Sequence, residues 1–267
     1  MSMKTIINNR REGESMKRGQ VALFVLVAVV LVGVVIALVA LPRLRGPGSE
    51  STQDPSAFLR ECLEPTLRAR LATLASQGGT LAPEGFIEHA DTKIAYLCYT
   101  NEDYKTCVVQ RPFVKEHAEA ELTKALEGTA RQCVNDLRDA YQSAGYTVGG
   151  NFERFTLSFT HGTMVGVVHA PLTLEKQSRL TYTSFQLTWP SEYYDLFYLA
   201  TSMVEYETQM GNTDTSLYIQ YYPDLSINKI QLGEGSRVYA IRNVITNESF
   251  QFATRSLVFP PGYGFAR

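Results

Sequence analysis

Catalytic signatures are missing from this 267-residue chain. It has no Gly-x-Ser-x-Gly elbow, no His-Glu-x-x-His helix and no Gly-rich phosphate loop. The familiar hydrolase, zinc-protease and nucleotide-binding arrangements therefore have nothing to build on. Histidine is scarce. His161 and His169 are eight apart, but the turn at His161-Gly162-Thr163 breaks their register, and no Cys, Asp or Glu joins them at ligand spacing. His89 and His117 stand alone and read as surface residues. Asp214 and Asp224 come nearest to a carboxylate pair, yet both sit in turn-like contexts. Basic runs are absent from most of the chain. Lys4, Arg10, Arg11, Lys17 and Arg18 fall within residues 1–20, opposed by Glu12 and Glu14, which leaves 20 basic against 25 acidic side chains for the rest. A segment of net charge −5 without clustered Lys or Arg is a poor partner for nucleic acid, because phosphate neutralisation needs such clusters. The expectation is a protein that is not an enzyme, with no catalytic, cofactor or metal-ligating residue.

What the chain does have is one long apolar run, Val21 to Leu41 (VALFVLVAVVLVGVVIALVAL), without a charged or hydrogen-bonding side chain. At 1.5 Å rise per residue a helix of that length covers about 30 Å, the thickness of a bilayer's hydrocarbon core. This predicts a transmembrane helix over 20–41, after a basic leader at 1–19. A linker rich in Pro, Gly, Ser and acid comes next at 42–56, and a large domain occupies 57–267. Lys and Arg are concentrated on the N-terminal side of the run, with only Arg43 and Arg45 close on the other. The positive-inside rule then places the leader in the cytoplasm and the domain outside. The four cysteines (Cys62, Cys98, Cys107, Cys133) all lie in the domain, and an even count outside the membrane reads as disulfides.

A secretory signal would have a shorter apolar segment and an A-x-A-like site after it, whereas Leu38-Val39-Ala40 is a poor match. The junction Lys17-Arg18-Gly19-Gln20, running straight into the apolar helix, instead resembles the class III signal of archaeal type IV pilin-like proteins. That resemblance implies a prepilin-type peptidase cutting between Gly19 and Gln20 and leaving the helix attached. The competing reading is an uncleaved anchor. The bacterial pilin pattern wants Glu five residues into the mature helix, and Phe24 stands there.

In the domain, Asp54-Pro55 supplies an N-cap and a first-turn proline. Leu59, Leu63, Leu67, Leu71 and Leu74 then form one helical stripe ending near Gly78-Gly79, with Pro65 expected to kink or split it and Cys62 facing inward. Lys93–Tyr99 and Tyr104–Arg111 read as a hairpin. A turn centred on Glu102-Asp103 sets Cys98 opposite Cys107 at a non-hydrogen-bonded site, where Cα atoms approach to about 4.5 Å. Phe113–Ala144 is a long helix whose apolar face includes Val114, Ala118, Leu122, Ala125, Leu126, Cys133, Val134, Leu137 and Tyr141. Of the three possible connectivities, Cys62–Cys133 with Cys98–Cys107 is preferred.

From Thr147 the period shifts towards two. Strands are predicted at 155–161, 164–170, 180–189, 216–222, 227–232, 237–244 and 250–258, with a third helix over 192–210 capped by Ser191. Long helices set apart from runs of strands make this α+β, three helices with a mainly antiparallel sheet. Tyr193, Tyr194, Tyr198, Tyr206, Tyr218, Tyr221 and Tyr222 crowd the third helix and the segment after it. They read first as packing residues and second as a partner or glycan surface. Asn247-Glu248-Ser249 is a glycosylation sequon in a turn.

The order of features is a cysteine helix closing in Ser76-Gln77-Gly78-Gly79, a second helix with Gln132-Cys133, and a β-rich half ending in Phe250-Gln251-Phe252-Ala253-Thr254-Arg255. It resembles uncharacterised membrane-anchored surface proteins of small-genome archaea. The resemblance implies location and topology and brings no catalytic residues. The expected role is a non-catalytic, pilin-like or surface-structure component, able to form a homo-oligomer or filament through its apolar helix. The alternative is a monomeric surface receptor or adhesin.

Overall fold

The computed structural model describes residues 28–32 and 54–258. Residues 28–32 are helical. The rest of the predicted transmembrane helix, the leader with Gly19 and Gln20, and most of the linker lie outside the described residues. Among the described residues no helix is long and apolar enough to cross a membrane.

Residues 54–258 form an α+β domain. In chain order it runs α1 (Pro55–Ser76), β1 (Phe86–His89), β2 (Thr92–Tyr99), β3 (Val108–Val109), α2 (Val114–Ser143) and β4 (Thr147–Gly149). Then come β5 (Arg154–Thr160), β6 (Thr163–His169), β7 (Leu172–Glu175), β8 (Arg179–Tyr182) and β9 (Phe185–Pro190). The last part is α3 (Tyr193–Met210), α4 (Thr215–Tyr221), β10 (Leu225–Gln231), β11 (Ser236–Asn243) and β12 (Ser249–Arg255).

The start of α1 reflects its sequence. The Asp54 carboxylate accepts the Ala57 N–H at 3.1 Å, and Pro55 sits where a missing N–H is harmless. Of the two outcomes expected at Pro65, a kink or a split, the split does not occur: α1 continues through it. Leu63 and Leu67, each 1% exposed, bury one face through that turn, and burying a leucine contributes about 1.5–3 kcal/mol, comparable to the ~3 kcal/mol that an interior proline costs. Helix α2 buries the expected stripe and adds Ala130, while Ala125 is only half-buried. Cys62 and Cys133 join α1 to α2 (Cα–Cα 5.9 Å), and Cys98 and Cys107 are paired (5.3 Å), so all four cysteines are bonded in the expected connectivity.

The strands make three sheets rather than one. A six-stranded sheet has the order β1-β2-β12-β11-β10, with β3 also on β2; β4-β7-β8 and β5-β6-β9 are separate. Pairing is antiparallel except for β12 on β2, which is parallel. Sheet β5-β6-β9 turns at Gly162, whose φ of 68° suits glycine. The outer edge of β5 is satisfied by the long helix: Leu157 N–H donates to Thr123 Oγ1 (3.0 Å) and Phe159 N–H to Glu119 Oε1 (2.7 Å). Side chains thus close an edge that would otherwise offer unpaired donors.

Four expectations need correction. The strand predicted at 180–189 is two strands, β8 and β9, in different sheets. Its apolar positions change parity between Tyr182 and Phe185, and Leu180 is exposed. The strand at 216–222 is helix α4, because Asp214 caps it by accepting the Ser216 N–H at 2.9 Å; this makes four helices in the domain. The N-cap position of α3 is Glu192, one residue later than expected, and its side chain makes no cap hydrogen bond; the Ser191 hydroxyl still accepts the Tyr193 N–H at 3.3 Å. The hairpin register is shifted: Cys98 faces Val109, and Tyr104–Lys105 bonds to Leu257 instead of β2 (Tyr104 N–H to Leu257 C=O, 2.7 Å; Leu257 N–H to Lys105 C=O, 3.0 Å).

Among the described residues one carboxylate is fully enclosed. Glu207 of α3 is 0% exposed; its carboxylate accepts from the Tyr239 hydroxyl, the Thr213 N–H (3.1 Å) and the Arg237 guanidinium (3.3 Å). Burial raises the Tyr239 phenol pKa, and burial pushes Tyr193 and Tyr141 up to about 12. Raised folded-state values favour the protonated, folded form. That contribution is complete below pH ~10, the unfolded phenol value, and is lost as pH rises through about 12. Alkaline titration followed by tyrosinate absorbance and circular dichroism should therefore show the last phenols ionising together with unfolding.

Candidate binding cleft

The six-stranded sheet buries one face against the helices in the main core. A smaller cluster, Ile94, Val238 and Ala253, gathers elsewhere on it, with Tyr96 packed alongside. Beside Tyr96 opens a cleft of about 470 Å³ lined by Glu84, Phe86, Tyr96, Tyr99, Gln110 and Arg111. Strand pairing positions these residues: Tyr96 N–H donates to Gly85 C=O (2.9 Å), and Gln110 N–H donates to Leu97 C=O (2.8 Å).

The two tyrosines are held in place by their hydroxyls. Tyr96 shares a hydrogen bond with Ser236 Oγ (2.8 Å), and Tyr99 accepts from Arg255 Nη1 (3.0 Å). Their rings meet edge-to-face at 4.9 Å and 64°. Such fixed aromatic surfaces bind without a large ordering cost. Arg111 is half-buried, and its hydrogen bond within the described residues runs from Nη1 to Gly78 C=O at 3.4 Å. Burial lowers its pKa, opposed by the charges of Glu121 and Glu84. A guanidinium has five N–H donors, so most of its capacity is available to a ligand.

The predicted tyrosine surface divides in two. Tyr193 is buried against Phe159 and Phe197, and Tyr194, Tyr206 and Tyr218 are half-buried. Tyr198, Tyr221 and Tyr222 are exposed (68%, 78% and 49%), as are Val244 and Ile245. Asn247 is exposed in the β11–β12 turn at φ 62°, and its side-chain oxygen accepts from Arg242 Nη2 at 2.6 Å.

The histidines remain apart. His161 pairs with Asp195 (2.9 Å) at the surface, His117 is half-buried beside Glu121 (3.1 Å), and His89 and His169 end separate strands. Asp214 caps α4, while the Asp224 carbonyl accepts from Val244 N–H (2.8 Å). Among the described residues no group of three His, Cys, Asp or Glu could hold a metal ion.

Sequence reasoning missed the cleft entirely. Its aromatic members come from strands β1 and β2, and β1 carries no clear alternation. No family model, curated protein or solved structure matches this chain.

Proposed function

We propose that this is a single-pass, membrane-anchored cell-surface protein, with its N-terminus cytoplasmic and its α+β domain extracytoplasmic. It works without catalysis, as a pilin-like or surface-structure component. The observation that carries this reading is the pairing of all four cysteines, in a chain whose sequence also contains a 21-residue apolar run. Disulfides persist in oxidising compartments and not in a reducing cytosol. In the pilin-like form, a prepilin-type peptidase removes residues 1–19, and the apolar helices pack into a homo-oligomer or filament.

The second reading is a monomeric receptor or adhesin whose helix only anchors. The aromatic cleft favours it, since filament packing through the apolar helix gives no role to Tyr96, Tyr99 and Arg111. The mass of the N-terminal peptide of membrane-extracted protein separates the two. A start at Gln20 is the expected result for processing and assembly. A start at Met1, Met3 or Met16 overturns the pilin-like form and leaves the static anchor.

A further inference from the structure

We infer that the cleft between β1, β2 and the segment after β3 is a binding site for a neutral pyranose saccharide. This deepens the receptor reading and rests on it. Three features combine. Phe86, Tyr96 and Tyr99 supply aromatic surface, with Lys93 lying over one face of Phe86 and Arg255 over one face of Tyr99, and the Tyr96–Ser236 and Tyr99–Arg255 hydrogen bonds fix two of the three rings. The same cleft carries a carboxylate at Glu84, an amide at Gln110 and a guanidinium at Arg111. Its volume, about 470 Å³, lies within the usual range for small-ligand sites.

Charge decides between ligand classes. Both signs meet at the cleft, the Glu84 carboxylate against Arg111, Lys93 over the Phe86 ring (4.7 Å) and Arg255 over the Tyr99 ring (5.4 Å), and this mixture favours a ligand that carries no charge of its own. A purely apolar ligand would strip water from Glu84, Gln110 and Arg111, whose contacts within the protein do not use all their donors and acceptors, which costs about 1–3 kcal/mol for each group left unsatisfied, and more where the group is charged. A hydroxyl group both donates and accepts, so it satisfies carboxylate, amide and guanidinium alike. A pyranose presents hydroxyls around its rim and a C–H face that lies against an aromatic ring. That combination matches all three parts of the cleft.

The test uses the full chain in phosphatidylcholine nanodiscs, which avoid sugar-headed detergents, and saturation-transfer NMR. The probes are neutral trisaccharides of glucose, mannose, galactose and N-acetylglucosamine, their monosaccharides, and trigalacturonate. The expected result is transfer to the ring C–H protons of at least one neutral sugar, and weaker transfer to trigalacturonate. A monosaccharide response as strong as that of the trisaccharide points to a soluble sugar; a trisaccharide requirement points to a surface glycan. Gln110→Ala and Arg111→Met should each weaken binding about tenfold. Gln110 is exposed, so its variant guards against the Arg111 variant simply failing to fold. Tyr221→Ala, on exposed α4, should bind normally. Silence across all neutral probes at millimolar concentration overturns the proposal, as does unchanged binding in both cleft variants or loss in Tyr221→Ala. Such silence leaves the surface location standing, because lysine labelling tests that separately.

Discussion

Replacing Cys62 and Cys133 together by alanine should lower the stability of the domain by about 4 kcal/mol. The bond closes a loop with a sequence separation of 71 residues, whereas Cys98–Cys107 closes one of only 9. By loop-closure entropy the shorter bond contributes about 2.5 kcal/mol. Both helices joined by the long bond already pack through buried leucines, so the double variant should still fold. It starts from a total that is typically about 5–15 kcal/mol, and its urea midpoint should fall steeply. Alanine is the right replacement because Cys133 is 1% exposed, and a serine hydroxyl would be buried there. An unchanged midpoint would mean that the disulfide does not constrain the unfolded chain.

Glu207→Ala should cost about 3–5 kcal/mol, comparable to losing the disulfide. The carboxylate is the common acceptor for Arg237, Tyr239 and the Thr213 N–H, and Arg237 is 8% exposed as a residue. Truncation leaves a buried cation without its counter-charge, a phenol without its acceptor and a void. Glu207→Leu combined with Arg237→Met removes both charges and should recover much of the loss, because well-packed apolar pairs often match buried ion pairs. A double-mutant cycle measured by chemical unfolding reads the coupling directly. Additive effects would show that Arg237 and Glu207 do not act as a pair.

Much of this architecture is legible in local sequence. Helices α1 and α2 announce themselves by apolar spacing, by the Asp54-Pro55 start and by the glycines after α1. The β5–β6 hairpin and β10 to β12 are readable from alternation. Misreadings arose where a local pattern has two solutions. Ser216–Tyr222 alternates like a strand, and only the cap at Asp214 tips it to helix. The parity change between Tyr182 and Phe185 was available as a signal that two strands, not one, occupy that stretch. The 98–107 register was not available locally, because Leu257 and Ser256 compete for the backbone of Tyr104–Cys107 from about 150 residues away. The cleft was hidden for the same reason: Arg255 and Ser236, which fix Tyr99 and Tyr96, reach them only once the distant strands β11 and β12 have joined the sheet.

The central claim is that the domain faces outward from a membrane. Intact cells of the native type of host, treated with a membrane-impermeant amine reagent and mapped by peptide mass, test it most directly. Lys93 and Lys124 are exposed on the domain and should be labelled before lysis. Lys4 and Lys17, where the leader is retained, should be protected. Labelling of Lys93 and Lys124 only after the cells are broken would contradict the account.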